Sequence, residues 1–303
     1  MGGCLVLNGD GTGGPPLAAF GVPKPVPAEN QPKPDEHPGE DAPEDVPEET
    51  ATEEEEASVD CGGALPYTAG LRTRLSADAL GGEVANGGAV AEWPACTGAG
   101  AAEETENFRP VYSSTGGPGA IHASVDFDGV DDLLRIPGDE VVLANGMQIV
   151  AVLRLGSPDL GQTVFSKGGD WGDDLFYLEV DNWFGTLTLT FMEESGGQGF
   201  IWEPLVENQW DIVSVSHGAD SQVMGYFRGA FAGGSMGHSY GDPAGADFSI
   251  GAFIDATGGT WSHAEIGLAE VIVYDGVLPT ADREAVECHL AAKYGLPVVQ
   301  ACD

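Results

Sequence analysis

From Val59 onward the chain breaks into short runs of alternating or continuous apolar residues, punctuated by Gly, Asn and Asp. Residues 71–77 set Leu71, Thr73 and Leu75 against Arg72 and Arg74, and residues 123–129 place Val125 and Phe127 on one face. Residues 147–156 form a long apolar run and 163–167 a short one. Residues 175–181 and 186–191 read as a hairpin around the turn at 182–185, with Leu187, Leu189 and Phe191 facing away from three threonines. Residues 210–217 and 222–229 read as a second hairpin, and 248–253 and 264–275 follow. About ten such segments with turn residues between them predict antiparallel sheets in a sandwich or barrel rather than βαβ units.

One helix is predicted, at the end of the chain. Pro279-Thr280 supplies its entry and N-cap, and Asp282 and Glu284 suit the positive helix start. Val286, Leu290 and Tyr294 recur every four residues, and Gly295 and Pro297 stop it. Its apolar stripe should lie on the sandwich.

Upstream, residues 21–58 are rich in Pro and Glu and nearly devoid of aliphatic side chains. Such a segment buries too little apolar surface to offset its chain entropy, so residues 1–58 are expected to form a disordered tether. The globular domain is expected over 59–303. Proline and like charge extend a tether of this kind, up to about 3.1 Å per residue.

Across the chain 49 acids face 11 Lys and Arg, a net charge of −38. That balance excludes nucleic acid, whose phosphates need basic partners, and disfavours anionic lipid surfaces. No stretch approaches the roughly 18 apolar residues of a membrane span. Cys61, Cys96, Cys288 and Cys302 lie in the globular part at spacings that match no zinc pattern. An even number fits two disulfides and an oxidising compartment, with three connectivities open.

Several stretches together resemble a known family. They are GGAVAEWPACTGAG (87–100), VDFDGVDDLLRIPG (125–138), FSKGG (165–169), WDIVSVSHG (210–218) and the closing AEIGLAEVIVYDGVLPTADREAVECHLAAKYGL (264–296). In this order they resemble the bacterial laminin G-like, concanavalin A-like domain. The resemblance implies an all-β jelly-roll sandwich of two antiparallel sheets with one C-terminal helix. It also implies a binding or adhesive module rather than a reaction, so no enzymatic activity is expected. The start, Gly2-Gly3-Cys4 before a Gly/Pro-rich and acidic run, resembles a bacterial lipoprotein and marks Cys4 for lipidation. An extracellular or cell-surface location follows, with contact to a membrane only through that anchor. In a jelly roll the first and last strands commonly share a sheet, which implies a Cys61–Cys302 bridge and leaves Cys96 to Cys288. Two departures from the family pattern, after Trp93 and in the terminal helix, lie beside Cys96 and Cys288.

Three groups of residues could carry chemistry. Asp170, Asp173 and Asp174 crowd a Gly-rich loop that could offer calcium several oxygens, and relatives of this fold often hold calcium at the sandwich rim. Residues 127–132 form a second acidic group, expected as a turn whose aspartates bond their own backbone. Trp171, Trp183 and Trp202 could stack on sugar rings, although packing is the usual role of aromatics in a sandwich. Glu179 and Asp181 begin the strand-borne acid triplet of glucanases of this fold, but no third acid follows. The preferred reading is a surface-displayed recognition module that binds glycan or extracellular protein through rim loops. A spacer domain without ligand and a glycan-active hydrolase are the alternatives. Brief proteolysis should trim the chain up to about residue 59 and leave a resistant core. A protected fragment starting near residue 20 would contradict the tether.

Overall fold

The computed structural model describes residues 61–302, apart from 104, 158–160, 169–175, 184–185, 194–196, 202–204, 221, 237–244 and 256–257. The chain divides into two units, Met1–Glu54 and Glu55–Asp303, and every described residue belongs to the second. The expected tether over 1–58 and Cys4 lie outside the described residues.

The first strands are β1 (Leu71–Ser76), β2 (Glu92–Trp93), β3 (Ala95–Gly98) and β4 (Ala101–Ala102). Next come β5 (Val111–Ser113), β6 (Ser124–Asp128), β7 (Leu134–Ile136), β8 (Gly146–Leu155) and β9 (Gln162–Lys167). The middle supplies β10 (Phe176–Trp183), β11 (Thr186–Glu193), β12 (Gly197–Ile201), β13 (Trp210–Gly218) and β14 (Gln222–Phe227). Then follow β15 (Ala230–Met236), β16 (Phe248–Ile250), β17 (Phe253–Ile254), β18 (Thr260–Trp261), β19 (Glu265–Asp275) and helix α1 (Thr280–Tyr294).

One sheet of nine strands runs β15-β14-β13-β8-β19-β1-β3, with β6 also paired to β19 and β5 to β6. A second, of eight strands, runs β12-β11-β10-β9-β16-β7-β4-β2. Their inner faces meet in one core, and the result is a concanavalin A-like jelly-roll sandwich of antiparallel sheets. Both expected hairpins form, β10 with β11 and β13 with β14.

The unbroken apolar run of β8 has a simple cause: both of its faces are buried. Ile149, Ala151 and Leu153 point into the core between the sheets, while Val150 and Val152 point out beneath α1. Val286, Leu290 and Tyr294 meet them there, with Ile212, Ile272 and Tyr274. A helix of this length is marginal alone, so this packing, about 1.5–3 kcal/mol for each large side chain, holds it. Pro279 takes the N-cap position and Thr280 the first helical one, and Gly295 ends the helix with a left-handed φ of 65°.

Sequence alternation fails at two bulges. Between Leu71 and Thr73 the register of β1 shifts, so Leu71 packs on the helix side while Leu75 enters the core. In β19, Ala269 is extra against Leu153 and Val152, which turns Glu270 out of the core into the helix-side layer. There Glu270, fully buried, accepts from Arg74 Nε at 2.7 Å, Lys293 Nζ at 2.7 Å and Tyr294 Oη at 2.8 Å. Arg74 also donates to the Gly63 and Cys61 carbonyls, and Lys293 to the Cys61 carbonyl and Ser76 Oγ. Burial, and then the Glu270 charge, hold the Tyr294 phenol well above its usual range.

All four cysteines of the domain are paired, but the expected partners are corrected. Cys61 joins Cys96 and Cys288 joins Cys302, with Cα separations of 5.9 and 5.5 Å. Strand β3 pairs directly with β1, Leu75 opposite Ala95, while Arg74 holds the Cys61 carbonyl beside β1. Cys96 therefore reaches Cys61 before the chain end can. After Gly295 the tail turns back along α1, where Val299 N–H donates to the Arg228 carbonyl and Gln300 Nε2 to Glu287, so Cys302 lands on Cys288. Closing loops of 35 and 14 residues stabilises by about 4 and about 3 kcal/mol in the chain-entropy model.

Replacing Glu270 with Ala leaves Arg74 buried without its counter-charge and Lys293 with only the more distant Asp78 carboxylate at 3.7 Å. The expected loss in urea unfolding is about 3–5 kcal/mol. A loss below about 1 kcal/mol would show that the cluster does not hold the helix to the sheets.

Candidate functional site

On β10 the inward residues Phe176, Leu178 and Val180 join the core, which turns Tyr177 and Glu179 to the opposite face of the eight-stranded sheet. A small hairpin, β17 with β18, stands over that face. Phe253 and Trp261 sit directly opposite in it, so their rings share one side, with centroids 5.7 Å apart. Tyr177 meets Phe253 edge-on at 5.8 Å. Thr163 N–H donates to the Ser262 carbonyl at 2.6 Å and ties the hairpin to β9. Together Thr163, Tyr177, Glu179, Phe253, Trp261 and Ser262 line a cleft of about 190 Å³.

Local strain shapes this cleft. Val164 is extra where β9 passes from Phe165 to Thr163 opposite Leu178 and Glu179, a bulge that re-aims the strand at the cleft. At the hairpin's base Gly251 has φ of +87°, and a Cβ there would stand 2.3 Å from the Phe127 ring. At its tip the Asp255 carboxylate accepts from Gly259 N–H at 2.8 Å. Ser262 holds a left-handed φ of 53°, a costly conformation for a non-glycine residue and one that concentrates at binding sites. Trp261 remains 45% exposed, a large aromatic face kept open to solvent.

A second cleft of about 550 Å³ shares Ser262 with the first. Asp128, Gly129, Gly161, Gln162, His263 and Glu265 are among its lining residues. No arginine or lysine lines either cleft among the described residues. Asp128, Asp131 and Asp132 at its edge bring one carboxylate oxygen each within 4.8 Å of the others. They also form the expected turn: Asp128 Oδ1 accepts from Val130 and Asp131 N–H, and Asp132 Oδ2 from Asp128 N–H. The second oxygens of Asp128 and Asp132 take no part in those bonds, so the donor set suits a hard cation. Burial, then the neighbouring Asp128 and Asp131 charges, raise the Asp132 carboxyl to about 6, against the opposing pull of the Asp128 N–H bond.

Other concavities differ in kind. Glu92, Glu103, Arg135, Glu140 and Asp247 line a charged cleft where Arg135 is already paired with Glu103 at 3.2 Å. Pro66, four alanines and the Cys288–Cys302 bridge line another on the outside of α1.

Of the residues singled out in the sequence, Asp170, Trp171, Asp173, Asp174 and Trp202 lie outside the described residues. Trp183 ends β10, and its side chain lies outside the description, as does that of Asp181. Glu179 is the one that enters the cleft. Tyr177, Phe253 and Trp261 were missed. Trp261, isolated in the polar stretch GGTWSH, was the available signal.

No protein-family model and no curated protein matches the chain. Solved structures do. Domain 4 of AbnA, a GH43 extracellular arabinanase from Geobacillus stearothermophilus in complex with arabinotriose, matches with a TM-score of 0.52 at 18% identity. The match covers 72% of this chain and 98% of that one. Trypanosoma rangeli sialidase in complex with sialic acid matches with a TM-score of 0.48 at 17% identity, over 77% of this chain and 34% of the sialidase. A heptameric SAP-like pentraxin from Limulus polyphemus gives 0.43 at 17%, over 55% and 82%. At such identities the likeness is one of fold. It nevertheless corrects the expectation that the chain is not an enzyme. The matched AbnA domain is part of an extracellular arabinanase, so this fold occurs within enzymes and that exclusion does not stand.

The paired cysteines fit an oxidising compartment, and no described helix is long and apolar enough to cross a membrane.

Proposed function

We propose that this chain is a surface-displayed glycan-recognition domain whose sugar site is the Tyr177, Phe253 and Trp261 cleft. The observation that carries the reading is the exposed Trp261 face, held by its Phe253 partner beside a carboxylate and three hydroxyl-bearing side chains. A flat aromatic suits the apolar face of a sugar ring, and a few placed polar groups fix its hydroxyls. The cleft, smaller than the 300 Å³ or more of a drug-sized site, matches a single ring, and the adjoining cleft gives a chain room to continue. That the arabinanase domain was solved with arabinotriose makes arabino-oligosaccharides the first probe.

Calcium belongs to the proposal as a structural ion, held by Asp128, Asp131 and Asp132, where it would neutralise crowded carboxylates and stiffen the rim of the second cleft. Asp170, Asp173 and Asp174 remain the sequence's own candidates for the same ion. The acidic tether and a lipid on Cys4 would hold the domain away from a cell surface, and an extracellular protein partner at the rim loops is the second kind of ligand this placement serves.

Titration with arabino-, xylo- and gluco-oligosaccharides in the presence of calcium tests the reading, with released reducing ends followed in the same samples. Binding is expected, and Trp261→Ala should weaken it at least tenfold, about 1.4 kcal/mol, with the melting temperature unchanged. Binding that survives Trp261→Ala would place the site elsewhere.

A further inference from the structure

The two clefts that meet at Ser262 carry charge of one sign. Glu179 lines the aromatic cleft, Asp128 and Glu265 line its neighbour, and Asp131 and Asp132 stand at the edge. No described arginine or lysine lines either cleft. Two guanidiniums of the sheets are already engaged, Arg154 with Asp126 at 3.0 Å and Arg135 with Glu103 at 3.2 Å. Proteins that accept a carboxylate or sulfate on a ligand do so with Arg or Lys forks, helix N-termini or backbone nests aimed at the anion. Among the described residues His263 is the one side chain lining these clefts that could become cationic, and its Nδ1 lies 3.3 Å from the Asp132 carbonyl.

We propose that the cleft selects neutral, unsubstituted sugars and rejects anionic ones, uronic acids and sialic acids included. This inference rests on the reading of the cleft as a sugar site and adds the ligand class. An anionic ring stacked on Trp261 would bring its carboxylate against Glu179 on one side, or against Asp128 and Glu265 if it extends past Ser262. Like charges brought together in a partly desolvated cleft repel far more strongly than in bulk water. Calcium on the Asp128 group does not reverse the sign. Three carboxylates hold one divalent ion with a negative charge to spare, and Glu179 and Glu265 remain beyond it.

The test uses the full chain and paired oligosaccharides, one neutral and one carboxylated in each pair: methyl-esterified and free oligogalacturonate, which share one sugar skeleton, then lactose and sialyllactose, and xylo- and glucuronoxylo-oligosaccharides, whose charged members carry one added acidic sugar. Each pair is titrated with calcium and with a chelator. For every neutral member that binds, the carboxylated member is expected to bind at least tenfold more weakly in both conditions. Glu179→Gln combined with Glu265→Gln should narrow that gap by tightening the anionic member relative to the neutral one. Equal or tighter binding of a carboxylated member, lost in Trp261→Ala, would overturn the selectivity while the sugar site stands. Failure of every member, neutral and charged, would overturn the sugar site itself and the selectivity with it.

Discussion

Glu270 is a carboxylate with no access to water, and its burial is tolerable only because Arg74, Lys293 and Tyr294 surround it. The partners come from two distant parts of the chain: Arg74 from the first strand, and Lys293 and Tyr294 from the last turn of the helix. Through the Cys61 carbonyl the same cluster fixes the residue from which the first disulfide departs. The bulge at Ala269 makes this arrangement possible, since without it Glu270 would point into the apolar core. A second buried pair works alongside it. Arg283 and Glu287 bond at 2.6 Å within α1, and the Arg283 guanidinium stacks 3.6 Å from the centre of the Tyr226 ring. The helix is thereby anchored at both ends to the nine-stranded sheet.

That anchoring decides which face of the sandwich is available. The outer face of the nine-stranded sheet is covered by α1 and has no room for a ligand along β8 or β13. On the outer face of the eight-stranded sheet the short β17–β18 hairpin, among the described residues, leans over β9 and β10. The cleft forms at the edge of this cover, where strands hold Tyr177 and Glu179 rigidly and the hairpin adds the two aromatics. A site built mainly on strands under a short hairpin is preorganised, which lowers the ordering cost of binding.

The sequence made the frame legible because the frame is periodic. Long runs such as residues 147–156 and 264–275, and the four-residue spacing of Val286, Leu290 and Tyr294, survive as β8, β19 and α1. What periodicity could not show is where the count slips: the bulges at Leu71–Thr73 and Ala269 leave no compositional mark. The even cysteine count was readable, but the partners depend on which strand lies beside β1, and that strand, β3, is four residues of Ala, Cys, Thr and Gly with no apolar alternation to mark it. The cleft was hidden for a related reason. Strands of two residues, as in β17 and β18, are too short to carry an alternation, so Phe253 and Trp261 could not be paired in advance. Glu179 was noticed as an acid on a strand, and only the folded hairpin gives it aromatic company.

The central claim is that this cleft, and not another concavity of the sandwich, meets the sugar. Nuclear magnetic resonance of the isotope-labelled full chain under saturating neutral oligosaccharide tests it most directly. The account predicts that the Trp261 indole and the amides of Thr163, Tyr177 and Ser262 shift together, with the α1 residues around His289 unmoved. Shifts confined to α1 or to the Arg135 cleft, with the Trp261 indole unchanged, would contradict it.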